Sequence, residues 1–152
     1  MSTLEQNKGI VQRIFKEFWL AGKTSVLDQL LATDVTNHEL SKEAVTGRDA
    51  YKEWASGFRQ VTLAGFPDRE IVVDALFAEG DLVAKRWTFR GTHTAEYMGL
   101  PASGKKVVMT GITIYRIAAG QVRETWWSYD ALGMMQQLGA IPAPAEAAGA
   151  RG

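Results

Sequence analysis

Residues 106–130, KVVMTGITIYRIAAGQVRETWWSYD, decide the fold. Two runs rich in β-branched and aromatic residues, 106–117 and 121–130, flank Ala118-Ala119-Gly120, which predicts two strands and a tight connection between them. Upstream, residues 69–78, 81–90 and 92–98 repeat the strand-like pattern, and Glu79-Gly80-Asp81 supplies a second hairpin connection. Residues 99–105 form a longer connection suited to a pocket rim. None of these connections is long enough for a crossover helix, so the strands are expected as antiparallel neighbours.

Ahead of the strands the periodicity is helical. Ser2 and Glu5 have capping-box spacing, and Leu4, Val11, Ile14, Phe15, Phe18 and Trp19 then recur near helical spacing up to the breaker Gly22. Thr24 is placed to cap a short second helix that buries Val26, Leu27, Leu30 and Leu31. Residues 34–40 read as a strand or an irregular crossing. Thr46 and Asp49 repeat the capping-box spacing before a helix that carries Tyr51, Trp54, Ala55, Phe58 and Val61 on one side, and Pro67 ends that region. Residues 131–138 predict a last short helix. Helices followed by a strongly curved antiparallel sheet give an α+β cone or roll, its sheet covered on one face by the early helices and able to enclose a cavity. Residues 1–141 make up this domain, and the proline- and alanine-rich residues 142–152 are expected to be a flexible tail.

At 152 residues the chain has room for one domain, which at this size buries roughly 69% of its extended surface. Its 17 basic and 17 acidic side chains cancel, leaving no charge field to attract nucleic acid or anionic lipid. No leader-like start and no 18-residue uncharged stretch occur, so a cytoplasmic protein without a membrane partner is expected. Without cysteine there is no disulfide, thiol nucleophile or iron–sulfur ligand, and two histidines leave little for a zinc site. A glycine-rich phosphate loop, a dinucleotide fingerprint and a nucleophile elbow are also missing from the sequence. Chemistry without cofactor or metal, or no chemistry, is what remains.

Asp130 ends the last strand. Period-two alternation puts Val122, Glu124, Trp126, Ser128 and Asp130 on one side and Arg123, Thr125, Trp127 and Tyr129 on the other. With the first side facing the cavity, partial desolvation would make the Asp130 carboxylate a better base than in water. Its plainer role is to cap the following helix. His93 is the candidate to donate to a carbonyl or enolate oxygen, or to be a hydrogen-bonded rim residue. His38 and Asn37 are placed at the pocket mouth or merely close their loop, and Asn37-His38-Glu39 lacks the second histidine of a helical zinc motif. Arg86 and Glu124 read as pocket charges or as a cross-strand ion pair. Five tryptophans suit an apolar cavity for a flat ligand, with Tyr51, Trp54, Phe58 and Trp126 as substrate contacts. Trp127 is assigned to a dimer interface on the outer sheet face; a bulge in the strand would exchange the two tryptophans.

The ordered set Asp81-Leu82-Val83-Ala84, Arg86, Gly91-Thr92-His93, Gly99-Leu100-Pro101, Gly104-Lys105, Gly111-Ile112-Thr113-Ile114-Tyr115-Arg116, Glu124-Thr125-Trp126 through Asp130, Gly133 and Gln137-Leu138-Gly139 resembles the SnoaL-like polyketide cyclase family. The resemblance runs over residues 4–139. It implies a nuclear-transport-factor-2-like α+β cone, a homodimer, and intramolecular aldol ring closure of an aromatic polyketide-type substrate without a cofactor. The family's acid/base aspartate matches Asp130, and His93 matches a pocket histidine; the strand 111–116, where a cyclase histidine is also found, contains none. The expected ligand is a hydrophobic polycyclic small molecule. The alternatives are a non-catalytic binding or accessory protein and another pocket enzyme, either an isomerase or an epoxide hydrolase using Asp130 and Arg86.

Overall fold

Ala119 and Gly120 take positive φ angles of 51° and 73°, so the chain reverses at the turn expected from sequence and lays residues 121–129 back along residues 106–118. A computed structural model describes residues 3–39 and 42–142. In chain order it contains α1 (Thr3–Arg13), a π-helical segment (Ile14–Leu20), α2 (Ser25–Leu30), β1 (Leu31–Glu39), β2 (Val45–Thr46), α3 (Arg48–Gly65), β3 (Glu70–Glu79), β4 (Leu82–Thr92), β5 (Lys106–Ala118), β6 (Gln121–Tyr129) and α4 (Ala131–Gln137). The fold is α+β, with a six-stranded unclosed sheet in the order β2-β1-β6-β5-β4-β3. Strands β3 to β6 form the expected antiparallel meander, while β1 runs parallel to β6 and antiparallel to β2.

The N-terminal helices and α3 cover one face of the sheet. Val11, Ile14, Phe18, Val26, Leu27, Val35, Phe66, Val83, Tyr115 and Val122 are each at most 1% exposed, and they fuse helices and sheet into one core. Full burial of each such side chain contributes about 1.5–3 kcal/mol before conformational entropy is counted. Gly111 on β5 is required by close approach, because a β-carbon there would overlap the indole of Trp87 on β4.

The structure corrects several sequence expectations. Residues 92–98 are not a full strand. β4 ends at Thr92, and the following chain has only an isolated bridge between Tyr97 and Leu100, with the His93 N–H donating to the Lys105 carbonyl instead of to a strand partner. Thr46 lies in β2 opposite Thr36, and Gly47 occupies the N-cap of α3. Thr24 precedes α2 without a side-chain capping bond. The first helix widens into the π-helical segment from Ile14 to Leu20. Ser2, Leu40 and residues 143–152 of the expected tail lie outside the described residues.

A bulge in β6 changes which side chains face inward. Arg116 pairs with Glu124, but the next residue, Ile117, pairs with Val122, so one strand carries an extra residue at Arg123. Past this bulge Thr125 and Trp127 are buried and Trp126 turns to the outer face, reversing the assignment of the two tryptophans made from strict alternation.

Candidate active site

β1 positions the central group. Its alternation buries Val35, Asn37 and Glu39 and turns Thr36 and His38 outward. Because β1 pairs with β6 in parallel register, Asn37 lies opposite Thr125 and Glu39 opposite Trp127. Glu39 is thereby a carboxylate only 5% exposed. Its Oε2 accepts the indole N–H of Trp54 at 2.7 Å, and its Oε1 accepts the phenolic O–H of Tyr129. The Lys42 Nζ is 3.7 Å from Oε1. Two charge-assisted donors and a nearby ammonium offset the cost of removing this carboxylate from water. Burial first, and then the bond to Glu39, raise the pKa of Tyr129, so it remains a donor at neutral pH.

Beside this carboxylate opens a cavity of about 750 Å³ between α3, the end of β1 and the β6–α4 junction. Trp54, Phe58, Val61, Tyr97, Met98, Tyr129 and Met135 give it apolar walls, and Glu39, Lys42 and Glu53 bring charge to it. Such a volume accommodates a fused-ring organic molecule. Trp54 packs edge-on against Trp127 at 5.6 Å and stacks with Phe58 at 6.1 Å, so its indole is held from both sides. Tyr51 sits beneath Trp54 at 5.4 Å, 1% exposed, with its pKa pushed up to about 12 by burial.

The residues singled out from sequence are dispersed. Trp54 and Phe58 line the cavity. Asn37 is buried one register step away, where its Oδ1 accepts the Thr125 hydroxyl at 2.6 Å and its Nδ2 has no partner among the described residues. His38 lies on the outer face, with its Nε2 2.7 Å from Glu124 Oε2 and its ring stacked on Trp126 at 5.5 Å. Arg116 adds a second contact to Glu124 at 3.2 Å. Arg86 is also outward and exposed, 3.4 Å from Asp74. That placement denies the epoxide-hydrolase reading its arginine.

His93 is 1% exposed, its Nδ1 2.9 Å from the Ser103 hydroxyl and its ring 5.5 Å from Phe66. Phe66 in turn contacts Tyr97 at 5.0 Å, and Tyr97 lines the cavity whereas His93 does not. Asp130 is exposed and caps α4, its Oδ1 accepting the Gly133 N–H at 2.9 Å. Its neighbours Tyr129 and Ala131 line the cavity, but Asp130 does not.

Glu39, Lys42, Glu53 and Tyr129 are polar wall residues that the sequence did not single out. The signal was the two-residue step from Asn37 to Glu39, which becomes legible once residues 31–39 are read as a strand rather than a crossing. Among the described residues no cluster of three or more metal-ligating side chains occurs, and no helix is long and apolar enough to cross a membrane.

The family model for SnoaL-like polyketide cyclases matches residues 9–138. The chain belongs to this family. Solved proteins similar to this SnoaL-like chain include a candidate SnoaL-like polyketide cyclase from Jannaschia sp. CCS1. It is 31% identical with a TM-score of 0.78, and 93% of this chain and 98% of that one are covered. A candidate polyketide cyclase from Acidithiobacillus ferrooxidans is 30% identical with a TM-score of 0.76, covering 92% and 99%. IdmH, a candidate polyketide cyclase from Streptomyces antibioticus, is 30% identical with a TM-score of 0.73, covering 88% and 99%. No curated protein sequence matches the chain. The α+β cone of the SnoaL-like, nuclear-transport-factor-2-like fold is thus present from the first helices to α4.

Proposed function

We propose that this SnoaL-like protein closes a ring in a polyketide-type substrate by intramolecular aldol addition, with Glu39 as the group that exchanges the proton. The observation that carries this reading is a buried carboxylate in the wall of an aromatic cavity, held by Trp54 and Tyr129. A methylene between two carbonyl groups is acidic enough for such a base. Glu39 takes its proton, the Lys42 ammonium faces the oxygen on which enolate charge develops, and Tyr129 keeps its hydrogen bond to Glu39. The walls hold the enolate carbon against an internal ketone, the carbon–carbon bond forms, and Glu39 returns the proton to the new alkoxide. Atoms balance without a cofactor.

Asp130, matched by resemblance to the family aspartate, takes a supporting part in this reading: it fixes α4, which brings Ala131 and Met135 to the cavity. His93 organises the loop at residues 103–105 through Ser103 and the backbone, and connects to the site by way of Phe66 and Tyr97. The partner on the outer face is a second copy of the chain. The register places Phe77, Ala84, Ile114, Trp126 and His38 in one row across five strands, a mostly apolar stripe suited to self-association.

The test is incubation of the purified protein with a panel of anthraquinone-type polyketide esters, followed by analysis of products by mass and chirality. A single-handed product isomeric with its substrate, or lighter by one water, is expected, and Glu39→Gln should slow its formation by about 10²–10⁴-fold. Saturable binding without product would overturn cyclisation in favour of an accessory binding protein.

A further inference from the structure

Lys85 lies on the inward register of β4 between Val83 and Trp87, where an apolar side chain would be the cheaper choice. It is 3% exposed. Among the described residues it has neither a hydrogen-bond nor an ion-pair partner; its Nζ instead faces the rings of Phe15, Tyr115 and Trp127 at 5.0, 5.4 and 5.7 Å. An unpaired buried ammonium is among the most expensive groups to keep in a core. Burial accordingly lowers its pKa from 10.5 to about 7, so much of the amine is neutral and nucleophilic near pH 7.

Lys85 also lines a cleft, and Phe15, one of the rings its Nζ faces, lines it too. A cleft of about 320 Å³ runs between the α1–π-helical segment and β3, with Val11 and Lys85 as its buried members and Gln12, Lys16 and Asp74 at its exposed rim. Phe15, Val73, Ala75 and Leu76 complete apolar walls wide enough for one substituted aromatic ring. Phe15 belongs to the π-helical segment, a distortion of helix geometry found frequently at functional sites. Lys85 and Phe15 also border a small inner void, walled further by Trp19, Phe58, Arg69, Trp87 and Trp127. The cleft itself has no lining residue in common with the Glu39 cavity, whereas the inner void shares Phe58 and Thr62 with it.

We propose that Lys85 is a second reactive site, whose amine captures a small aromatic aldehyde in this cleft as a Schiff base. The nitrogen lone pair forms a bond to the carbonyl carbon as the carbonyl π bond breaks, and one proton passes from nitrogen to the oxygen to give a neutral carbinolamine. The carbon–oxygen bond then breaks, water leaves carrying the oxygen, and nitrogen gives up a proton to leave the neutral imine. The aldehyde is the co-reactant and no oxidant or reductant enters the step.

The test uses the full chain at pH 7 with benzaldehyde and cyanoborohydride, which reduces any imine to a stable benzylamine read by intact mass and peptide mapping. Lys85 should be labelled at least about tenfold faster than any other lysine, because exposed lysines are almost wholly protonated at this pH. Lys85→Met, with its fold verified by circular dichroism, should lose the fast label and keep the slow ones. Benzaldehyde should also protect Lys85 in the wild type against a second carbonyl probe. Labelling of Lys85 no faster than surface lysines, or an undiminished fast label in Lys85→Met, would overturn the proposal. Neither result bears on Glu39 or on cyclisation.

Discussion

Glu39 on β1 and Trp127 on β6 are register partners in a parallel strand pair, and Trp54 of α3 bridges them, donating its indole N–H to the carboxylate while packing edge-on against Trp127. This relationship ties the sheet to the helix layer at the cavity wall. The carboxylate orientation therefore depends on the position of α3. Trp54→Phe should keep the aromatic packing and remove one donor, leaving Oε2 unsatisfied in a mostly buried site. The expected outcome is a fall in turnover of about tenfold or more with little change in substrate affinity, read from separate kcat and KM values.

Asp130 is expected to act through α4. Asp130→Ala removes the acceptor for the Gly133 N–H and should cost about 1 kcal/mol, equivalent to roughly 2–4 °C in Tm for a domain of this size. Asp130→Asn, which retains a capping oxygen, should restore most of that stability and keep turnover near the wild-type level. Turnover abolished in Asp130→Asn with the fold intact would return the proton-transfer role to this residue.

Gly111→Ala tests the packing of the sheet interior. The added methyl would overlap the Trp87 indole, whose N–H donates to the Thr113 hydroxyl at 3.1 Å. Overpacking of this kind costs about 1–3 kcal/mol, visible as a lower urea midpoint at unchanged m-value.

Acid stability should depend on Glu124. Its folded-state pKa lies below 4.5, first because of the hydrogen bond with His38 and, against the opposing effect of burial, with help from Arg116. Its stabilising contribution is present above that ordinary value and disappears as pH falls through the depressed one. The stability difference between wild type and Glu124→Gln should therefore shrink in denaturant titrations as pH falls from neutral through the depressed folded-state value.

Lys85 has the opposite consequence at higher pH. Its pKa falls from 10.5 to about 7 on folding, so the unfolded chain binds more protons above pH 7 and stability should rise with pH up to about 9. Lys16, Arg69, Asp74 and Tyr115 share its surroundings. Tyr115, raised by burial, and Arg69, lowered to about 10 mainly by burial, change charge above this window. Lys85→Met should flatten the rise and be more stable than wild type at pH 7.

Strand positions were legible because they depend on local chemistry: turns such as Ala119-Gly120 and alternation in residues 106–117 act over a few residues. The side that each β6 residue faces was not, because a single bulge at Arg123 inverts it, and a bulge leaves no dependable mark in composition. That inversion moved Trp126 to the outer face and Trp127 to the core. The nature of residues 92–98 was hidden for a related reason, since His93 and its neighbours bond to residues 100–105 rather than to a strand. Glu39 went unread because a carboxylate becomes special only through Trp54 and Tyr129, which lie 15 and 90 residues away.

The role of Glu39 is probed at the first chemical step with a β-keto ester that fits the cavity but lacks the carbonyl group needed for ring closure. Exchange of its methylene protons with deuterated water, followed by NMR, isolates proton transfer from carbon–carbon bond formation. Wild type and Asp130→Asn should both accelerate exchange over buffer, and Glu39→Gln should lose that acceleration by about 10²-fold or more. Exchange by Glu39→Gln at the wild-type rate, in a folded protein that still binds the ester, would contradict the assignment of Glu39 as the base.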